Sequence, residues 1–272
     1  MNHRSRAKLV SSVVIILIVA LVAAIHYGST KPKQNTTEII PSIPVASTTS
    51  SLVLEDKKTI NEDKKAGYKI TAIYPVLTAG LSEDAKIKIN HAISDQISAV
   101  INDFKKGAID SLPTTSKEES TLDISYETTS AQSLKDILSF RLIETSYDAG
   151  AAHPSNVIET MNFNILTGES ITLGTVFGPY PDTYLPRLSD FTFTALNKKL
   201  GNDKGAIDNI KSGTTPNEEN FSSFVFTDSG ILFIFQAYQV APYAAGSQEV
   251  LVPYSAIRDI IKKGTFLDSV IK

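Results

Sequence analysis

The chain has 272 residues, 42% of them hydrophobic, with 26 basic against 29 acidic side chains and no cysteine. That content can bury one sizeable core or two small ones, and it excludes disulfides, a thiolate metal site and a lipid-bearing cysteine. A net charge of −3 offers no basic footprint for a polyanion, so nucleic acid is not an expected partner.

Residues 9–25, LVSSVVIILIVALVAAI, carry no charge. A helix of about 17–20 such residues spans a hydrocarbon layer of about 30 Å. Arg4, Arg6 and Lys8 precede the run and no acid appears before Glu38, which keeps the N-terminus cytoplasmic and exports the rest. A cleaved signal peptide is the competing reading. The run is longer than a typical signal core, and Ala23-Ala24-Ile25-His26-Tyr27 is a poor cleavage site, so 1–28 reads as a cytoplasmic tip plus an uncleaved transmembrane anchor. The expected localisation is single-pass in the cell membrane, with the C-terminal domain extracytoplasmic. From 29 to 65 Ser, Thr, Pro, Lys and Asn take over. This composition predicts a disordered tether, reaching about 30–35 Å for a flexible chain of this length.

Folding is expected from residue 66. Tyr68, Ile70, Ala72 and Tyr74 alternate with polar residues in a strand that Pro75 should end. A helix follows, with Ser82 as N-cap, Glu83 and Asp84 in its first turn, and Ile89, Ile93, Ile97, Val100, Ile101 and Phe104 on one face. Gly107 is its expected stop, and His91 beside the stripe reads as a surface or boundary residue. Leu122, Ile124 and Tyr126, then Leu138, Phe140 and Leu142, then Val157, Met161, Phe163 and Ile165 mark three strands by alternation. Residues 171–177 read as a short strand or turn before the bend Gly178-Pro179-Tyr180-Pro181. A second helix is expected from Asp182 to Leu200, stopped by Gly201. Residues 224–226 and 231–235 form a hairpin through Thr227-Asp228-Ser229-Gly230. The run 231–235 is apolar throughout, as in a strand buried on both faces. A strand near 248–252 and a last helix capped by Ser255 close the chain. The fold class is α+β, with antiparallel sheets and helices packed on one face.

Tyr147-Asp148-Ala149-Gly150-Ala151-Ala152-His153-Pro154, Met161-Asn162-Phe163-Asn164, Thr167-Gly168, Leu173 and Phe177, with residues 238–246 and Val252-Pro253-Tyr254, resemble the extracytoplasmic module shared by the PdaC and RsiV families. The resemblance covers about residues 67–263, as a PdaC-type domain (66–150) and an RsiV-type C-terminal domain of unknown function (151–264). Two departures stand out: the family commonly has adjacent glycines where this chain has Gly150-Ala151, and Asp where it has Asn164. The paired aspartates and two-histidine metal site of a polysaccharide deacetylase have no counterpart here, nor does a cytoplasmic sigma-binding region. The resemblance implies an outer module that binds cell-wall glycan (peptidoglycan) or a glycan-directed protein such as lysozyme.

The loops 148–154 and 241–246 are the candidate ligand contacts, with Asp148, His153, Pro154, Pro242, Tyr243 and Gly246 as the residues of interest. Pro242 and Gly246 bracket Tyr243 on a loop between two buried strands, where binding residues often sit. His153, with Ser146 and Asp148 close in sequence, allows a hydrolytic triad to be imagined; the blander reading is a ring that bonds backbone carbonyls and fixes the turn before Pro154. One histidine and one acid are too few for zinc, and no metal or cofactor is expected. Tyr238 and Tyr254 read as core residues, and the pairs Glu118-Glu119 and Glu218-Glu219 as solvated charges. Besides a binding or sensor domain, two readings stay open: a cell-wall hydrolase using His153, and a structural partner in an envelope complex.

Overall fold

A computed structural model describes residues 36–40, 52–110, 118–129 and 134–270. The expected membrane span at 9–25 lies outside them. Among the described residues no helix is long and apolar enough to cross a membrane.

The first half is a six-stranded sheet whose strands follow chain order: β1 (Thr36–Ile40), β2 (Val53–Asp63), β3 (Tyr68–Ala79), β4 (Ser120–Thr129), β5 (Ile137–Tyr147) and β6 (Ser155–Asn164). Helix α1 (Glu83–Asp110) joins β3 to β4. A helix crossing back over a sheet returns the chain in its starting direction, so β3 and β4 run parallel while the other neighbours are antiparallel. The sheet is therefore mixed, which corrects the purely antiparallel expectation. Ser82 Oγ accepts from the Ala85 amide at 3.2 Å and starts the helix as expected. Its Ile89, Ile93 and Ile97 are buried against Ile70, Leu122, Phe140, Leu142 and Phe163. Full burial of each such side chain is worth about 1.5–3 kcal/mol. Gly107 does not stop α1, which runs on to Asp110.

Residues 53–63 are not a loose tether. They form β2, paired with β3 along its whole length. Tyr126 Oη donates to Asp56 at 2.6 Å, and the Lys57 ammonium lies 5.5 Å from the centre of the Tyr74 ring. The strand is too polar to show in composition, because its order comes from the ladder that β3 supplies. Residues 36–40, also assigned to the tether, pair antiparallel with β2. Pro75 does not end β3 either. Pairing with β4 stops at Ala72, so beyond it no partner on that side needs the donor that proline lacks.

The second half begins with α2 (Leu173–Phe177), where a strand or turn was expected. Thr172 accounts for the difference, since its Oγ1 accepts from the Thr175 amide at 3.2 Å and the Thr175 hydroxyl caps in return. Helix α3 (Leu185–Leu200) starts later than Asp182 because Pro181–Thr183 form a separate 3-10 turn. Helix α4 (Lys204–Gly213), which the sequence reading missed, is capped by Asp203 through the Ala206 amide at 2.9 Å. Strands β7 (Phe224–Phe226), β8 (Gly230–Phe235) and β9 (Gln248–Pro253) form a three-stranded antiparallel sheet. Its centre is β8, the apolar run, with Ile231, Phe233 and Phe235 fully buried. Helix α5 (Tyr254–Ile257) begins one residue before the expected cap, so Ser255 lies inside it; α6 (Phe266–Val270) follows.

Two hydrophobic clusters result, one under α1 and one around β8, and apart from Leu134 and Ile137, which join the second, the change from one to the other falls between Phe163 and Ile171. Since β5 and β6 pair from Ser146–Ser155 to Ile137–Asn164, the first sheet continues past the expected division at 150. The seam is tied by side chains. Buried Asn162 accepts from Ser139 Oγ at 2.7 Å and donates to the Phe224 carbonyl at 2.8 Å. Thr160 Oγ1 takes the Phe224 amide at 3.0 Å, and Arg141 of β5 donates to Glu249 of β9 at 2.5 Å.

Candidate functional site

The loop 148–154 is anchored by the entry to β4. Glu118 accepts from Tyr147 Oη at 3.0 Å and from the Gly150 amide at 3.1 Å, and Ser120 Oγ accepts from the Ala149 amide at 3.0 Å. Glu118 is thus a loop anchor rather than a solvated charge. Its hydrogen bond is the main reason that the Tyr147 phenol is pushed above its usual pKa. At the end of the loop, His153 Nδ1 lies 2.9 Å from the Pro154 carbonyl oxygen.

The loop 241–246 is a 3-10 turn, Tyr243–Ala245, entered through Pro242 and left through Gly246 at φ 65°, a left-handed value that glycine adopts without strain. Gln248, buried at the start of β9, donates to the Ala245 carbonyl at 2.6 Å. The segment just after β8 is fixed by two glutamines. Gln236 Nε2 donates to the Ile158 carbonyl at 2.7 Å, while its Oε1 accepts from the Ile158 amide at 3.0 Å. Gln239 Oε1 accepts from the Gln236 amide at 2.9 Å, and its Nε2 reaches the Gly213 and Asn220 carbonyls at 3.1 Å. Between them Tyr238 is held at φ 69°, the one non-glycine with positive φ among the described residues. A bulky residue in that region costs about 1–3 kcal/mol and persists only where its surroundings dictate it.

His153 and Tyr243 are 90 residues apart in sequence, yet the two loops meet in space. The His153 and Tyr243 rings stack with centres 4.1 Å apart and planes at 24°. Tyr243 Oη donates to the Pro154 carbonyl at 2.6 Å. The Tyr238 ring lies 5.5 Å from that of Tyr243 at 31° and is 66% exposed. His153, Pro154 and Tyr243 are therefore brought together, and Tyr238 joins them, contrary to its expected place in the core. Tyr254 is buried as expected. It donates to the Thr227 carbonyl at 2.9 Å, and burial, then Asp228, raise its phenol pKa. Beside Tyr243 opens a cavity of about 260 Å³ whose walls include Asn156, Ile158, Ala237, Ala244 and Ser247. Gly246 also lines it.

This arrangement does not assemble the imagined triad. Ser146 is engaged in the β5–β6 ladder opposite Ser155. Among the described residues no carboxylate bonds the His153 ring, and Asp148 makes no side-chain bond to the aromatic cluster. No group of three or more histidine, aspartate or glutamate side chains among them is placed to hold a metal. The blander role foreseen for His153, a ring against a backbone carbonyl, is the geometry observed.

Two other places carry unusual chemistry. A larger cavity of about 480 Å³ lies along the seam, lined by Met161, Phe163, Ile171, Leu173 and Phe221, with Glu218 among its walls. Most of these side chains already belong to the hydrophobic clusters, so the space is better read as a gap where two cores meet than as a binding site. Under α1, Glu144 and Glu159 share a sheet face. Burial, then the charge of Glu159, push Glu144 up to about 8, and its Oε1 is buried without a partner. Glu159 is also raised by burial, opposed by a hydrogen bond from Gln96. Sequence alone did not mark this pair; a glutamate on the apolar phase of β5, following Phe140 and Leu142 at a spacing of two, was the available signal.

Residues 176–255 match the family model described as "Protein of unknown function (DUF3298)". Over 255 residues the chain is 25% identical to the peptidoglycan-N-acetylmuramic acid deacetylase PdaC of Bacillus subtilis, covering 92% of this chain and 50% of PdaC. An esterase of Mycobacterium tuberculosis is 28% identical over 110 residues, 40% of this chain and 46% of its own. The immunogenic protein MPT64 of the same organism is 28% identical over 120 residues, 44% and 50% of the two chains. The chain thus spans about half the length of these curated relatives. Among solved structures, a DUF3298 family member from Bacteroides fragilis aligns over 87% of this chain and 98% of its own, with TM-score 0.56 and 14% identity. One from Pseudomonas aeruginosa aligns over 85% and 96%, with TM-score 0.54 and 13% identity. Residues 176–255 thus carry a match to the DUF3298 model, and the chain is similar to PdaC over most of its length.

Proposed function

We propose that this protein is a membrane-tethered, extracytoplasmic binding or sensor domain. Its ligand is cell-wall glycan or a glycan-directed protein such as lysozyme. The observation that carries the reading is the joining of loops 148–154 and 241–246 into one partly exposed aromatic face by the His153–Tyr243 stack and the Tyr243–Pro154 hydrogen bond. Rigid aromatic rings held by a scaffold give contact area at low entropic cost. The similarity to PdaC, whose name specifies peptidoglycan, supports the choice of ligand. The uncharged run at 9–25 and the basic residues ahead of it support the tether and the outward orientation.

The test is a titration of the full chain in detergent micelles, immobilised and exposed separately to muropeptides and to lysozyme. Saturable binding of either that Tyr243→Ala abolishes is the expected result. Binding of neither, while a control glycan-binding module responds, removes the proposal.

A further inference from the structure

We infer that the ligand site centres on one uncharged N-acetylated hexosamine unit of a glycan, its pyranose face laid on Tyr238 and its acetamido group lodged in the adjoining cavity. The inference rests on the reading that this face binds cell-wall glycan, and it names the sugar unit and the residues that select it.

Tyr238 is the starting point. A tyrosine held in a left-handed conformation by two glutamine side chains, yet two-thirds exposed, contributes nothing to the core for the strain it carries. Its ring continues the run from His153 through Tyr243, and Tyr243 is fixed in turn by Pro154. The result is a preorganised aromatic surface open to solvent. Exposed rings of this kind recognise flat, partly apolar partners. The axial C–H face of a pyranose is one.

The cavity selects the substituent. At about 260 Å³ it is smaller than the roughly 300–1,000 Å³ pockets that take drug-sized ligands, and suits one small group beside the ring. Ile158, Ala237 and Ala244 supply an apolar wall. Thr145 Oγ1 donates to Asn156 Oδ1 at 2.9 Å, which occupies the accepting end of that amide and leaves its Nδ2 as a donor. The Ser247 hydroxyl can both donate and accept. An acetamido group presents one methyl, one carbonyl acceptor and one amide donor, which matches a small apolar wall with one amide donor and one hydroxyl. No lysine, arginine, aspartate or glutamate lines the cavity or belongs to the aromatic run. That disfavours a carboxylated sugar such as muramic acid as the unit in contact, and favours its uncharged neighbour in the glycan.

The experiment is saturation-transfer NMR and calorimetry on the full chain in detergent micelles. The probes are a β-1,4-linked N-acetylglucosamine tetramer and the corresponding glucose tetramer, which lacks the acetamido group. Wild type should bind the N-acetylated tetramer at least tenfold more tightly than the glucose tetramer. Tyr238→Ala should weaken it at least tenfold and Tyr238→Phe should retain it. Asn156→Ala should lose most of the discrimination between the two. Equal affinity for both tetramers, or unchanged binding by Tyr238→Ala, overturns the inference. If wild type ignores both tetramers but still binds peptidoglycan or lysozyme, this inference fails and the broader reading stands. If it binds none of them, both fail.

Discussion

Replacing Glu144 by glutamine should flatten the pH dependence of stability. Glu144 of β5 pairs with Val157, and Glu159 of β6 with Leu142, so the two carboxyls lie diagonally on the face under α1. Burial, with the charge of Glu159 second, lifts Glu144 from 4.5 to about 8. The folded state therefore keeps a proton that the unfolded chain has already lost between these two values. Stability is full below about pH 4.5, falls as pH rises through the window, and levels off above about 8. At 1.36 kcal/mol per pH unit the whole interval is worth about 5 kcal/mol, and for a half-buried group in partial contact with solvent about 2 kcal/mol is the expected loss. Urea denaturation of the full chain in detergent micelles, at pH 5 and pH 8.5, measures it. Wild type should lose about 2 kcal/mol between the two conditions, and Glu144→Gln should lose almost none of that share. Glu159→Gln should leave part of the slope, because burial is the larger cause. Parallel stability profiles for wild type and Glu144→Gln refute the assignment.

Asn162→Ala deletes the bonds to Ser139 and Phe224 across the seam and should cost about 2–4 kcal/mol in chemical denaturation, since the buried Phe224 carbonyl loses its donor and the Ser139 hydroxyl, which keeps only the Phe226 amide, loses its acceptor. Gly168 sits at φ 74°, and a Cβ there would stand 2.8 Å from the Ala85 Cα and carbonyl oxygen. Gly168→Ala should accordingly lower stability by about 2–3 kcal/mol, visible as a drop in Tm. A truncated chain that starts at residue 66 lacks β2 and leaves β3 with a bare edge; it should aggregate, whereas one that starts at residue 35 should remain monomeric by light scattering.

What the sequence made legible was periodic and apolar. The isoleucines of α1, the alternation in β4, β5 and β6, and the run of β8 all announced their elements, because burial and side-chain phase coincide there. The polar strand β2 was hidden because its order comes from pairing with the neighbouring strand β3 rather than from its own hydrophobicity. Helix α4, with only Ile210 and Gly213 buried, lacked a wide apolar stripe for the same reason. At the candidate site the two loops were identifiable from their proline and glycine brackets. Their contact was not, since nothing local encodes a ring from residue 153 resting on one from residue 243. Tyr238 was misplaced because an aromatic after a buried strand usually continues the core. Its flanking Gln236 and Gln239 were the available hint, polar residues whose side chains turn the backbone outward instead.

The central claim, that the two loops act as one recognition face, is tested most directly by co-sedimentation of the full chain in detergent micelles with purified peptidoglycan. The comparison is a double-mutant cycle of His153→Ala and Tyr243→Ala. The account predicts that each substitution weakens sedimentation and that the pair together is little worse than the stronger one alone, as residues in contact behave. Strictly additive effects, or full binding by both single variants, would contradict it.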